Sequence, residues 1–105
     1  MKIKELNTIG IGLRALGDLP IKGGLKFKVA RNIKMAEDIL VDAMGSITNK
    51  EDEREVMETS VDVEFINFTE NELEPLEVDS KTIYMLLPII EFQTNSNEIE
   101  AMILD

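Results

Sequence analysis

Histidine, cysteine and tryptophan are absent from this 105-residue chain, proline occurs three times, and aromatic residues make up only 5%. Without cysteine there can be no disulfide, thiolate metal site or cysteine nucleophile. Without histidine the commonest general base and the commonest transition-metal ligand are missing as well. Neither a catalytic residue, a bound metal nor a cofactor is therefore expected, and the chain does not read as an enzyme. The lack of cysteine fits a reducing compartment. Long hydrophobic runs are missing too. The longest uncharged apolar stretch, residues 83–90, spans eight positions, against the roughly 20 that a membrane-spanning helix needs. Lys2, Lys4 and Glu5 interrupt the N-terminal residues before a signal-peptide core can form. A cytoplasmic protein that makes no use of membrane is expected.

What is present is the composition of a folded domain. Hydrophobic residues contribute 44% and charged residues 30%, a balance that can bury a core. A chain of this size buries roughly 65% of its unfolded surface, enough for one core, so residues 1–105 read as a single domain. The charge is distributed unevenly. Residues 1–34 carry eight basic and two acidic side chains, net +6, whereas residues 35–105 carry three basic and nineteen acidic ones, net −16. Two such segments either neutralise one another inside the fold or present faces of opposite sign to partners.

Periodicity predicts an α+β domain that is predominantly helical, with two amphipathic N-terminal helices, one or few short strands and a further C-terminal helix. Ile3, Leu6, Ile9, Leu13 and Leu16 recur at three and four residues, one apolar helix face. Gly10 and Gly12 fall within it and weaken it, so packing must hold the helix or another backbone must approach there. Gly17 suits a left-handed stop before Pro20. Beyond Gly23 and Gly24, the residues Leu25, Val29, Ile33, Ala36, Leu40, Ala43 and Ile47 form a second, longer stripe, about 33 Å at the helical rise. Its cations precede its anions, the reverse of what the helix dipole favours, which suggests that the cations serve an acidic neighbour or a partner. Residues 49–55 form a charged link or an exposed helical turn. Val61, Val63 and Phe65 alternate with Asp62 and Glu64 and predict a strand over 61–68. Its partner could be residues 25–29, residues 99–104 or another subunit. Thr69 and Glu72 fit a capping box, and Asp79 fits the N-cap of a helix through Ile83, Leu86 and Leu87 that Pro88 kinks or ends. Residues 93–97 read as a loop before a short terminal element.

This order of elements carries Leu19-Pro20-Ile21-Lys22-Gly23, then Leu25-Lys26-Phe27, Arg31-Asn32, Leu76-Glu77-Val78-Asp79 and Leu86-Leu87-Pro88-Ile89-Ile90-Glu91. Over residues 3–91 it resembles small uncharacterised proteins encoded by tailed bacteriophages and prophages of Gram-positive bacteria. The resemblance implies a phage-encoded accessory protein acting in the cytoplasm of the bacterial host, and it brings no catalytic residues with it.

Among residues that could carry chemistry, Asp79-Ser80-Lys81 matches a fragment of metal-dependent nuclease sites, with Asp62 or Glu64 as the upstream carboxylate. Asp79 is better explained as a helix cap. Neither glycine pair is followed by the residues of a phosphate loop. Two binding surfaces remain. Glu70, Glu72, Glu74, Glu77 and Asp79 form an acidic cluster suited to a basic protein partner, whose nucleic-acid groove it would occupy as an inhibitor does. Lys22, Lys26, Lys28, Arg31 and Lys34, with Phe27 and Asn32 nearby, form a basic patch suited to nucleic-acid phosphates, although the net charge of −10 opposes that encounter. A structural or assembly subunit of a phage particle is the third reading. There the apolar stripe of the second helix would serve as an interface, as it would in a homodimer.

Overall fold

The computed structural model describes residues 1–92. Five helices and a two-stranded sheet follow one another in the order α1 (Ile3–Gly17), α2 (Gly24–Gly45), α3 (Lys50–Glu58), β1 (Phe68–Thr69), α4 (Glu70–Leu73), α5 (Ser80–Leu86) and β2 (Ile90–Glu91). Single 3₁₀ turns follow α4 and α5, each with a proline in its first two positions. The fold is thus a predominantly helical α+β arrangement. No helix among the described residues is long and apolar enough to cross a membrane. The residues expected to form the loop at 93–97 and the element at 99–104 lie outside the described region.

The core is built around α1. Its five apolar residues at spacings of three and four, Ile3, Leu6, Ile9, Leu13 and Leu16, are all buried, each such side chain contributing about 1.5–3 kcal/mol by leaving water. Val29 and Ala36 of α2 close the core on one side, and Phe68, Leu73, Leu86, Ile89 and Ile90 close it on the other. The glycine at position 12 explains how α5 comes so close. A Cβ there would stand 3.0 Å from Met85 Cβ and from Leu86 Cγ and Cδ2, so α5 would have to give by a few tenths of an ångström to admit it.

The long stripe of α2 is less deeply buried than its regularity suggests. Val29, Asn32 and Ala36 are the fully buried residues of α2, while Leu25, Ile33, Leu40 and Ala43 of the stripe are half-buried, as is Ile47 beyond the helix end at Gly45. Gly23 precedes the helix at φ 68°, a conformation open to glycine. Gly17 plays no such part, because α1 ends with Asp18 in the right-handed region and without a left-handed residue. A Cβ at Gly17 would meet Ile33 Cδ1 at 3.4 Å, an ordinary contact, so packing does not require a glycine there either.

The strand expected over residues 61–68 is corrected by the structure. Only Phe68 and Thr69 join a ladder, parallel to β2, with Phe68 opposite Ile90 and Thr69 opposite Glu91. Residues 25–29, one of the partners considered for it, are helical within α2. Residues 61–67 are extended nonetheless, without a turn or bend, and they alternate half-buried Val61, Val63 and Phe65 with exposed Asp62 and Glu64. At the end of the segment, Ile66 and Asn67 are bonded by side chains of α2 in place of a partner strand. Asn32, with none of its surface exposed, donates its amide Nδ2 to the carbonyl of Ile66 at 2.8 Å and accepts the Ile66 amide on Oδ1 at 2.9 Å. One turn earlier, Lys28 Nζ donates to the carbonyl of Asn67 at 3.0 Å. At the other end the segment is tied to the N-terminus by an antiparallel bridge between Lys2 and Ser60 and by the Val61 amide donating to the Met1 carbonyl at 2.7 Å.

Candidate functional site

Local capping fixes the acidic region. The Thr69 hydroxyl accepts the Glu72 amide at 3.3 Å while Glu72 Oε1 accepts the Thr69 amide at 2.9 Å, a complete capping box that starts α4. Asp79 Oδ1 accepts the Thr82 amide at 2.9 Å and starts α5. Bonds from Thr82, at its side chain and its backbone amide, hold the Asp79 carboxyl below its ordinary value. Between the two caps the chain passes through Glu77, whose φ of 52° lies in the left-handed region.

The five carboxylates singled out in the sequence therefore divide. Asp79 is spent on a helix terminus. Glu72 is half-buried and turned inward, where Lys28 Nζ donates to Oε1 at 2.8 Å and to Oε2 at 2.9 Å. Burial raises the Glu72 carboxyl, but the bonds from Lys28 and from the Thr69 amide outweigh it and its pKa lies below the ordinary value. Glu70, Glu74 and Glu77 are exposed and have no ion-pair partner among the described residues. These three stand on the rim of a groove of about 270 Å³. Its floor is formed by Leu73, Val78, Ile83 and Ile90, with Phe92 at its edge.

The basic patch divides in the same way. Lys28 is committed to Glu72 and Asn67, and its ammonium also lies 5.7 Å from the centre of the Phe68 ring, within cation–π range. Lys34 pairs with Asp38 one turn along α2 at 3.3 Å. Asn32 is buried on the Ile66 backbone, so it lies away from the surface that phosphates would reach. Lys22, Lys26 and Arg31 remain exposed without an ion pair among the described residues, beside a Phe27 that is 71% exposed.

All five ion pairs among the described residues join the basic segment before residue 35 to the acidic one after it: Lys2 and Lys4 to Glu58, Arg14 to Glu37, Lys28 to Glu72 and Lys34 to Asp38. The charge asymmetry of the sequence is in part a set of internal contacts. Glu58 is the most perturbed of these groups, since hydrogen bonds from Lys2 and Lys4 lower its pKa from 4.5 to about 2. Sequence reading missed Asn32 and the Lys28–Glu72 pair as structural groups. The signal for the first was a polar residue one step from the apolar stripe, whereas no local signal joins two charges 44 residues apart.

Chemically, this arrangement offers binding surfaces. Among the described residues no three carboxylates converge closely enough to hold a metal ion. No protein-family model matches the chain, and no curated protein or solved structure is detectably similar to it.

Proposed function

We propose that the protein acts by binding another protein through the acidic groove between α4 and β2, as a phage-encoded accessory factor in the cytoplasm of the bacterial host. The observation that carries this reading is the pairing of an apolar floor with three uncommitted carboxylates, Glu70, Glu74 and Glu77. Such a groove suits a partner segment with an apolar face and a basic border. The floor supplies affinity, and the carboxylates speed encounter and select for positive charge. A basic surface of this kind is what nucleic-acid-binding proteins present, so an acidic protein seated there competes with phosphates and inhibits. The role is not catalytic in this reading, and Asp79 serves α5 rather than a reaction.

Reversal of Glu70, Glu74 and Glu77 to lysine tests the proposal, with capture of host or phage proteins by the tagged full-length chain as the readout. The triple variant is expected to lose a partner that the wild-type chain retains. Moderate salt should slow association, because exposed charges are screened over roughly 10 Å at 0.1 M. Reversal of Lys22, Lys26 and Arg31 should leave that partner bound. The opposite pattern would favour the second reading, nucleic-acid binding on α2, for which the exposed Phe27 between Lys26 and Arg31 speaks as a stacking platform. If neither triple variant mattered, the outer face of α2, with Val41 and Met44 exposed, would become the interface of an assembly subunit.

A further inference from the structure

A second apolar groove, of about 420 Å³, lies between the chain that follows α1 and the first half of α2. Leu19 and Ile21 form one wall, Val29, Ala30 and Ile33 the other, and Lys26 stands at the rim. The charges around it come from three elements. Lys22 and Lys26 are exposed and have no ion-pair partner among the described residues, and the same is true of Asp18 at the end of α1. Further along the two helices, Arg14 is neutralised by Glu37 at 3.1 Å and Lys34 by Asp38 at 3.3 Å. The groove is therefore apolar within and positive at its border. Other grooves differ in sign. The one at Glu70, Glu74 and Glu77 is acidic, the one beside α3 has Asp42 as its charged lining, and the one at Arg31 and Lys34 also carries Asp38 and Glu64.

We propose that this groove receives residues 98–105 of the same chain. Charge selects the occupant. The sequence Glu98-Ile99-Glu100-Ala101-Met102-Ile103-Leu104-Asp105 offers five apolar side chains and three carboxylates, and Lys81 is the last basic residue before it. Such a segment is repelled by Glu70, Glu74 and Glu77 and attracted by Lys22 and Lys26. Chain length permits the contact. Glu91 lies opposite Thr69, and Glu72 is held by Lys28, so the last described residues stand beside the half of α2 that walls the groove. Met102 to Leu104 reach about 33–43 Å from Phe92 at 3.3–3.6 Å per residue, enough to pass round a helix about 10–12 Å across. A segment joined to the same chain meets the groove at an effective concentration on the order of mM, which favours it over a second copy. Once seated, its carboxylates cover Lys22 and Lys26 and keep phosphates from them until the segment is displaced. The inference is independent of the role proposed for the acidic groove.

Because the chain has no cysteine, one introduced cysteine carries a nitroxide spin label at a chosen site of the isotopically enriched full-length protein. Asp18→Cys places the label beside the groove, and Glu74→Cys places it at the acidic groove as a control. With the first label, the amide signals of Ile99, Met102, Ile103 and Leu104 should lose most of their intensity and regain it when the nitroxide is reduced. With the second they should keep it. Adding Lys22→Glu and Lys26→Glu to the first labelled protein should restore the signals, as should Glu98→Lys with Glu100→Lys, whereas Lys22→Arg and Lys26→Arg should leave them weakened. Labelled chain without isotope, mixed with enriched chain without label, should weaken nothing. Weakening in that mixture would mean that a second copy fills the groove. That result would overturn the proposal, as would full signals with the label at position 18, equal weakening from position 74, or weakening that survives both charge reversals.

Discussion

Replacement of Asn32 measures how firmly the extended segment is held to α2. Its carboxamide makes two hydrogen bonds to a single residue, 2.8 Å to the Ile66 carbonyl and 2.9 Å from the Ile66 amide, and it does so with no surface exposed. Asn32→Ala removes both bonds and leaves two backbone groups seeking partners, at about 1–3 kcal/mol for each that stays dry. Ile66 is half-buried, so water reaches part of the gap, and a total loss of about 2–4 kcal/mol is expected. That is a large share of the roughly 5–15 kcal/mol by which domains of this size are stable. Urea unfolding followed by circular dichroism at the helix band reads the loss, since the chain has no tryptophan. Asn32→Asp adds a second signature. Its ionised carboxylate would accept the Ile66 amide but face the Ile66 carbonyl with a second acceptor, and burial would raise its pKa above the ordinary value of about 3.9. The folded variant would then hold its proton more tightly than the unfolded one, so the variant should recover stability as pH falls through the raised pKa toward about 3.9. A loss below about 1 kcal/mol for Asn32→Ala, or no pH-dependent recovery for Asn32→Asp, would refute the view that this one amide replaces a partner strand.

Three further substitutions probe the packing and the charges. Gly12→Ala should destabilise by about 1–3 kcal/mol through overpacking, less the gain of up to about 1 kcal/mol from helix propensity. The Met85 Cβ and Leu86 Cγ that it meets at 3.0 Å lie close to the α5 backbone and cannot swing aside. Gly45→Ala, with open space around it, should be neutral or stabilising by about 0.4–1 kcal/mol, and thermal unfolding of the pair checks the contrast. The carboxyl of Glu58, lowered from 4.5 to about 2 by Lys2 and Lys4, favours the folded state fully above pH 4.5 and loses that effect as pH falls toward 2. Glu58→Gln should flatten this part of the acid limb, and thermal midpoints that fall equally steeply in both proteins would show the interaction to be idle in solution.

The parts of this fold that were legible in the sequence are those encoded over a few residues. The α1 stripe was readable because one face of one helix goes entirely into the core. The Thr69 capping box and the Asp79 cap were readable because donor and acceptor lie three residues apart. Gly17 misled because a glycine near a helix end suggests a left-handed turn, whereas α1 runs through it and ends at Asp18 in the right-handed region. The strand over 61–68 was readable as extended chain, but its pairing was not. That pairing depends on an asparagine 34 residues away, and on β2, whose register with β1 no local pattern sets. Among the acidic residues at the candidate groove, the capping box with Thr69 marks Glu72 in sequence as a structural carboxylate, whereas its pairing with Lys28, 44 residues away, has no local signal.

The way α1 is enclosed has a consequence for the order in which the protein can be made. Its first residue, Ile3, donates its amide to the Thr59 carbonyl, Met1 ahead of it accepts from Val61, and the face around Gly12 is covered by Met85 and Leu86. A growing polypeptide emerges from the ribosome with α1 first and α5 much later. A newly made α1 can therefore form helix and meet α2, but it cannot complete its hydrophobic enclosure until nearly all of the described residues have been synthesised. Contacts so distant along the chain make loop closure, rather than helix formation, the slow event. In the interval the most apolar face of the molecule is exposed to whatever surrounds the nascent chain, and the acidic residues that follow help to keep it dispersed by mutual repulsion.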